Sequence, residues 1–335
     1  MNCHLIYTPF TGVGLHGGYR GDAWFRHRID VFLNYTHKSL LAQTNKNFVH
    51  WLSFRPEDQD NKIVQELAKK LSEFPDYRFI MTFDGLMYHD DKFSNYRLKT
   101  RVRNFMMMEL DHWNNKTPHN PIKSLKLAWD DKNRSLVSRI QDSLQVVKSV
   151  IGTDYEWIYL TRIDSDDLFH KETVDLIQAQ DPEWKRALVF DKGYILNIRT
   201  KQVADWNPPT NPPFHSIIFP ANTFFNAQAH YEYYGNFKSH EDIPKVFNAQ
   251  VLDDNRYMVA FHGKHISTAW ESPAIKKAHH KLKYGRTNPF KGYMYTTGTG
   301  QNISTHWASR TRQVKNPMIG NEYSESEEIL KQFGL

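Results

Sequence analysis

One segment of this 335-residue chain carries more information about its fold than any other: Trp157-Ile158-Tyr159-Leu160-Thr161-Arg162-Ile163-Asp164-Ser165-Asp166-Asp167. Its first part is mostly apolar and rich in aromatic and β-branched side chains, which predicts a buried strand. The carboxylates of Asp164, Asp166 and Asp167 follow directly. Because ligands of open α/β sheets bind outside the carboxyl ends of the strands, we expect these acids to lie at a ligand site.

The clustering of these acids predicts a metal site. Carboxylates so close together repel one another unless a cation joins them, and hard oxygen ligands favour Mg²⁺ or Mn²⁺. An ion held by Asp164 and Asp166 would commonly bridge a diphosphate. The alternative interpretation is a solvated acidic turn, in which Asp166 or Asp167 caps a helix predicted around residues 171–179, since Asp is a preferred N-cap residue.

Strand-like and helix-like segments alternate around this motif, which predicts an α/β fold with a largely parallel sheet. The predicted strands in the first half are 3–8, 48–54, 77–83 and 157–163, and the predicted helices are 22–44, 62–74 and 136–150. Residues 87–133 lack a clear period and are interpreted as an irregular excursion. Shorter strands at 187–190, 194–199 and 215–220 predict a sheet extended by antiparallel strands, where an acceptor could lie.

Composition limits the possible partners and the compartment. The excess of 43 basic over 37 acidic residues gives a formal charge of +6, which suggests an anionic partner such as a nucleotide-sugar, nucleic acid, phosphorylated glycan or anionic lipid surface. The single cysteine, Cys3, excludes an intramolecular disulfide and is expected to be a buried thiol. Neither a signal peptide at residues 1–10 nor an apolar run of ~18 residues is found, so a cytoplasmic location is expected.

The glycine-rich segment Gly12-Val13-Gly14-Leu15-His16-Gly17 matches the pattern of a dinucleotide-binding loop. That fingerprint requires a helix to begin at once and an acid to end the next strand. Here residues 18–21 intervene, and the first acid after the second strand is Glu57. The context favours a glycine-rich loop near a nucleotide-sugar over an NAD site.

Three further side chains are candidates for nucleotide-sugar binding. Arg28 and Arg162 could contact phosphate or the base, because the planar guanidinium grips two phosphate oxygens at once; the alternative is an ion pair with nearby acids. Asp84, at the end of the third strand, could accept hydrogen bonds from the base. Alternatively, Asp84-Gly85 is a common turn.

At this point the chain resembles the GT-A glycosyltransferases, and among them the rhamnosyltransferase family of bacteria and viruses. Residues 28–48 are similar to its opening helix, in which an Arg precedes a Ser-Leu-x-x-Gln-Thr-x-x-x-Phe run. Residues 159–168 resemble its metal-binding strand, and 261–268 resemble a closing His-Gly-x-Asn-x-Ser-Thr segment, with His265 at the place of the Asn. The resemblance covers about residues 1–270, apart from the middle excursion.

The resemblance implies a GT-A type fold, a mostly parallel Rossmann-like sheet extended by antiparallel strands. It implies a glycosyltransferase domain at 1–270, with a nucleotide-sugar-binding half at 1–168 and an acceptor-binding half at 169–270, followed by a basic C-terminal extension at 271–335. The implied cofactor is Mn²⁺ or Mg²⁺. Asp164 would lie near the ribose, Asp166 would bind the metal, and His262, with His265 behind it, would be a further ligand.

The implied reaction moves a glycosyl group from a nucleoside-diphosphate sugar to an acceptor hydroxyl, while the metal neutralises the departing diphosphate. An inverting enzyme also needs a general base within reach of that hydroxyl. Asp242 is the favoured candidate and Glu241 the second. The alternative interpretation places both acids in the first turn of a helix capped by Ser239.

The basic tail leaves other functions open. Lysines, arginines and histidines interleave with aromatic residues across 271–335, which is typical of a polyanion-binding surface but also of a solvated face. Beside an enzyme that builds a glycan, the chain could glycosylate hydroxylated bases of viral DNA, or be a non-catalytic polyanion-binding protein. A metal-dependent nuclease or phosphatase is disfavoured, because the sequence has no second cluster of acids and histidines.

Overall fold

The computed structural model describes residues 1–11, 21–88, 136–208, 213–234, 240–253, 255–262, 319–323 and 326–335, with single positions between 102 and 125 and two short strands beyond 294. The glycine-rich segment 12–17, most of the predicted excursion, His265, and most of 271–318 lie outside these residues. The strands are β1 (Asn2–Pro9), β2 (Val49–Ser53), β3 (Phe79–Thr82), β4 (Trp157–Arg162), β5 (Asp167–Phe169), β6 (Arg186–Val189), β7 (Gly193–Asn197), β8 (Gln202–Trp206), β9 (His215–Pro220), β10 (Asn248–Val251), β11 (Tyr257–Phe261), β12 (Tyr295–Thr296), β13 (Asn302–Ile303) and β14 (Ile319–Tyr323).

Helices connect these strands and cover the sheet. They are α1 (Asp22–Val31), α2 (His37–Leu41), α3 (Lys62–Leu71), α4 (Leu136–Ile151), α5 (Thr173–Gln178), α6 (Ala221–Phe224), α7 (Ala227–Tyr234), α8 (Ile243–Val246) and α9 (Ser326–Gln332). A π-helical turn, Phe32–Thr36, joins α1 to α2 without a break, so the helix predicted at 22–44 is confirmed, although it ends three residues earlier, at Leu41.

The main sheet has the strand order β10-β6-β9-β4-β1-β2-β3. Strands β3, β2, β1 and β4 run parallel to one another, whereas β9 is antiparallel to both β4 and β6. Strand β10 is parallel to β6. The predicted α/β class, with a mostly parallel sheet that includes an antiparallel strand, is confirmed, and the arrangement is compatible with a Rossmann-like fold.

Both faces of this sheet are buried, as expected for parallel strands covered by helices. Side chains alternate between the faces along β1 and β2, so Leu5 and Ile6 enter opposite core clusters, as do Trp51 and Leu52. Helices α1 and α3 cover one face and α4 covers the other. Cys3 is buried among these residues, and burial raises the pKa of its thiol to about 11.

Helix α3 illustrates how local sequence sets an element's limits. The side chain of Asn61 accepts hydrogen bonds from the backbone N–H groups of Ile63 (2.9 Å) and Val64 (3.4 Å), which satisfies two donors at the helix start. Ile63, Val64, Leu67 and Leu71 are buried on its inner side. The predicted helix at 62–74 is confirmed, although it ends three residues earlier.

A second sheet has the order β14-β8-β7-β11-β5. Strand β7, which corresponds to the predicted strand at 194–199, belongs to this sheet and not to the main one. Strand β5 was not predicted: it is formed by the end of the acidic motif itself. It pairs antiparallel with β11, and Asp167 lies opposite Val259.

The end of the chain packs against this second sheet. Strand β14 pairs with β8, and Phe333 after α9 is fully buried with Leu168 and Met258. Gly334 has φ +76°, and a Cβ there would lie 2.6 Å from Cβ of Ala42. Of the predicted extension, strand β14 and Phe333 are therefore attached to the second sheet. Among the described residues, no helix combines the length and the apolar character needed to cross a membrane.

Candidate functional site

The acidic motif lies at the switch point of the main sheet. Strand β1 has β2 on one side and β4 on the other, so the connections leaving β1 and β4 diverge at their carboxyl ends. A crevice at such a point is the usual ligand site of an open α/β sheet. Arg162 ends β4, and Asp164 and Asp166 follow it at this edge.

Arg162 and Asp164 form an ion pair beside the strand end. Nε and Nη2 of Arg162 both donate to Oδ1 of Asp164, at 3.1 Å and 3.0 Å. The arginine side chain is 8% exposed and the aspartate 35%. Burial by itself lowers the pKa of Arg162, but Asp164, together with Tyr234 and Tyr7, more than offsets this and holds that pKa above its usual value. Arg162 therefore stays charged and fixes one carboxylate oxygen of Asp164.

Asp166 takes a different pair of partners through a single oxygen. Nη1 of Arg28 lies 2.5 Å from its Oδ2, and Nε2 of His262 lies 2.9 Å from the same atom. All three residues are buried. The guanidinium of Arg28 also lies 5.4 Å from the centre of the Trp24 ring, within range of a cation–π contact.

The ladder between β5 and β11 brings Asp166 and His262 together. Asp166 directly precedes β5 and His262 directly follows β11, so antiparallel pairing of the two strands places both residues at the same end. The backbone N–H of Ala260 also donates to Oδ1 of Asp167 at 3.3 Å. Burial, with repulsion from Asp166 and then Asp164, raises the pKa of Asp167 well above its usual range.

The alternative in which the acids cap a helix is wrong. Helix α5 begins at Thr173 and its N-cap residue is Glu172. Asp166 is bound to Arg28 and His262 instead, and Asp167 is the first residue of a strand. The alternative in which the arginines pair with nearby acids is observed. Arg28 and Arg162 each form an ion pair with one of the two acids predicted to bind the metal, Asp166 and Asp164.

Asp84 and Asp242 have partners of their own. Asp84 follows β3; its Oδ2 accepts from Ser143 Oγ at 3.2 Å, and its backbone oxygen accepts from Arg139 Nη1 at 2.5 Å. Gly85 has φ 66°, in the left-handed region that glycine adopts readily, and the backbone bends at Asp84. Asp242 directly precedes α8, and its Oδ1 accepts from Lys245 Nζ at 2.6 Å.

The second candidate base, Glu241, belongs to the short helical turn His240–Asp242. Its side chain lies outside the described part of the structure, as does Ser239, the capping residue of the alternative interpretation. The structure therefore groups Arg28, Asp166 and His262, pairs Arg162 with Asp164, and gives Asp84 and Asp242 the separate partners described above.

Two polar groups at this edge have no counterpart in the sequence predictions. Nε2 of His27 lies 3.5 Å from Nδ1 of His262, and the two rings meet edge to face. At the end of β2, buried Asp58 accepts a hydrogen bond from Thr11 Oγ1 and another, at 3.2 Å, from the Arg55 backbone. Burial, with repulsion from Glu57, raises the pKa of Asp58 to about 7. The only sequence signal was position: His27 precedes Arg28, and Asp58 follows a strand.

The ligand atoms that Asp166 and His262 offer are of kinds that fit a divalent cation. Oδ2 of Asp166 and Nε2 of His262 lie 2.9 Å apart, so both atoms could contact one bound ion. One carboxylate oxygen and one imidazole nitrogen suit Mn²⁺ better than Mg²⁺, which prefers oxygen ligands. In the ranges that the structure describes, no group of three or more His, Cys, Asp or Glu side chains is arranged to hold a metal.

Comparison of the chain with sequence families and with curated proteins gives no match. Its function is therefore inferred from the fold and from the geometry of this site.

Proposed function

We propose that this chain is a metal-dependent glycosyltransferase with a GT-A type fold, which moves a sugar from a nucleoside-diphosphate sugar to an acceptor hydroxyl, most simply on a glycan. One observation carries the proposal: Asp164 and Asp166 follow β4 at the switch point of a mostly parallel sheet, with His262 2.9 Å from Asp166. Carboxylates at that position suit a metal-bound diphosphate, which is the leaving group of such a transfer.

Asp166 and His262 are the residues proposed to hold the ion. When bound, a divalent ion supplies Lewis-acid stabilisation of the negative charge that builds on the departing diphosphate. Arg28 and Arg162 place two positive charges at the same edge and can add to that stabilisation. Arg162 also holds Asp164, the residue proposed to lie near the ribose, in one orientation.

Asp242 is the proposed general base for an inverting transfer, with Glu241 as the second candidate. The Asp242 side chain is 24% exposed, so an acceptor hydroxyl can approach it from solvent. Lys245 holds one of its carboxylate oxygens.

The proposal is tested by thermal unfolding with a panel of nucleoside diphosphates and nucleotide-sugars, with and without Mn²⁺. A ligand at about 100 times its Kd stabilises the folded state by about 2.7 kcal/mol, which raises the Tm measurably. We expect one nucleotide to raise the Tm only when Mn²⁺ is present. The effect should disappear in Asp166→Asn and persist in Asp181→Asn, which changes an exposed carboxylate.

Absence of a shift with every nucleotide would overturn the proposal. If one nucleotide-sugar does bind, it is used as the donor to identify the acceptor. Transfer of labelled sugar to glycan fractions is compared with transfer to DNA that contains hydroxylated bases. Transfer to the DNA would assign the viral base-modifying activity.

A further inference from the structure

A single carboxylate oxygen, Oδ2 of Asp166, has two nitrogen partners. Arg28 Nη1 lies at 2.5 Å and His262 Nε2 at 2.9 Å. The exposed fractions of the three side chains are 11% for Arg28, 7% for Asp166 and 1% for His262. The Arg28 guanidinium therefore occupies space that a cation bound to this oxygen would need.

Arg28 and a divalent ion would compete for this position. Both are positive, so they repel each other at short range, and the oxygen lone pairs that bind one are less accessible to the other. Moving Arg28 away is unfavourable by itself, because a buried guanidinium would lose its anionic partner. An anion that arrives together with the metal removes this penalty.

We propose that Arg28 couples the binding of the metal ion to the binding of the diphosphate, an inference that rests on the proposed function. In the free protein, Arg28 neutralises Asp166. When the metal binds Oδ2 of Asp166, the guanidinium of Arg28 leaves that atom and forms hydrogen bonds with diphosphate oxygens. Its planar fork suits this exchange, because carboxylate and phosphate present similar pairs of oxygen acceptors.

The consequence is a reciprocal coupling between the two ligands. Metal alone binds weakly because it must displace Arg28, and diphosphate strengthens metal binding because it offers Arg28 a new partner. By linkage, the metal strengthens diphosphate binding by the same factor. This exchange of partners by Arg28 keeps the charges of the site balanced in the free and in the ligand-bound protein. It favours the binding of metal and diphosphate together.

The test measures Mn²⁺ affinity by electron paramagnetic resonance of the free ion, with and without the nucleoside diphosphate that the thermal panel identifies. The variants are Arg28→Gln and the control Arg26→Gln, which changes an exposed residue of the same helix. We expect Arg28→Gln to bind Mn²⁺ alone about 10-fold more tightly than wild type, within the usual range of coupling factors. The gain produced by diphosphate should be smaller in this variant than in wild type and control.

A second variant, Arg28→Lys, keeps the positive charge beside Asp166 and removes the bidentate fork. It should bind Mn²⁺ alone as wild type does and show a reduced gain with diphosphate, and it also serves if Arg28→Gln does not fold. Unchanged or weaker Mn²⁺ binding by folded Arg28→Gln would overturn the inference and leave the proposed function standing. Failure of wild type to bind Mn²⁺ under any condition would overturn both.

Discussion

Nε2 of His262 lies 2.9 Å from Oδ2 of Asp166, although 96 residues separate the two along the chain. Antiparallel pairing of β5 with β11 produces this proximity, because it places Asp166, just before β5, beside His262, just after β11. Arg28, from a helix between β1 and β2, reaches the same oxygen. The candidate site is thus assembled by three separate parts of the chain.

Replacing Asp166 should destabilise the protein apart from any effect on activity. Asp166→Ala leaves the buried Arg28 guanidinium without this partner, and loss of one member of a buried ion pair costs about 3–5 kcal/mol. Arg28→Met combined with Asp166→Leu should cost less than the sum of Arg28→Met and Asp166→Leu measured singly. Urea unfolding of wild type, the single variants and the double variant measures this coupling. Strict additivity would mean that the ion pair contributes nothing.

Mild acid should unfold the protein because several core histidines are buried in the neutral form. Burial lowers the pKa of His4 and of His50 to about 3, and that of His230 to about 4. Below pH 6.5 the unfolded chain binds protons at these sites that the folded chain does not, so stability falls as the pH falls. Each histidine should contribute up to about 1.4 kcal/mol per pH unit between 6.5 and its folded pKa.

The measurement is the urea midpoint at pH 7, 6 and 5. We expect a progressive decrease, and a smaller one in His230→Phe, which removes one titrating group. An unchanged midpoint over this range would show that these histidines are protonated in the folded state.

Asp58 should have the opposite pH dependence. Its folded pKa of about 7 lies above the unfolded value, so its contribution to stability is present at low pH and lost as the pH rises to 7. Asp58→Asn keeps an oxygen acceptor for Thr11 and removes the buried charge. The variant should be more stable than wild type at pH 8, by roughly 1–2 kcal/mol, and the difference should vanish near pH 4.

Unfolding of both proteins across this pH range checks the prediction, and the histidine contributions cancel in the comparison. The matched control is Asp60→Asn, which changes an exposed acid two residues away. A variant that is less stable at pH 8 would indicate that the carboxylate of Asp58 is ionised and needed by Arg55.

The C-terminal helix should be required for the stability of the second sheet. Phe333 is fully buried against Leu168, Met258 and neighbouring apolar side chains, and truncation of a buried Phe costs about 3–5 kcal/mol. Phe333→Ala should lower the urea midpoint accordingly, whereas Lys331→Ala, which changes an exposed residue of α9, should change it little. Equal effects of the two substitutions would mean that α9 is not docked in solution.

Sequence reasoning located the main sheet well because its elements carry strong local signals. Strands β1, β2, β3, β4 and β9 lie in continuous, largely apolar segments, and helices α3 and α4 have clear helical periods, so each was predicted within a few residues. Strands β5, β8, β10, β11 and β14 were not predicted. They contain three to five residues, and several have polar residues among the apolar ones, so they do not stand out as apolar segments.

The candidate site, too, could be predicted from the sequence only in part. The amino-acid order by itself determined that a buried strand ends in Asp164 and Asp166, because hydrophobicity and charge are local properties of the chain. Only the tertiary structure decided the partners: Arg162 for Asp164, and Arg28 with His262 for Asp166. It also decided that Ile319–Tyr323 pairs with β8 at the edge of the second sheet. Strand pairing joins residues that are distant in sequence, and the free energy of such contacts depends on the whole packed core, which no local pattern reports.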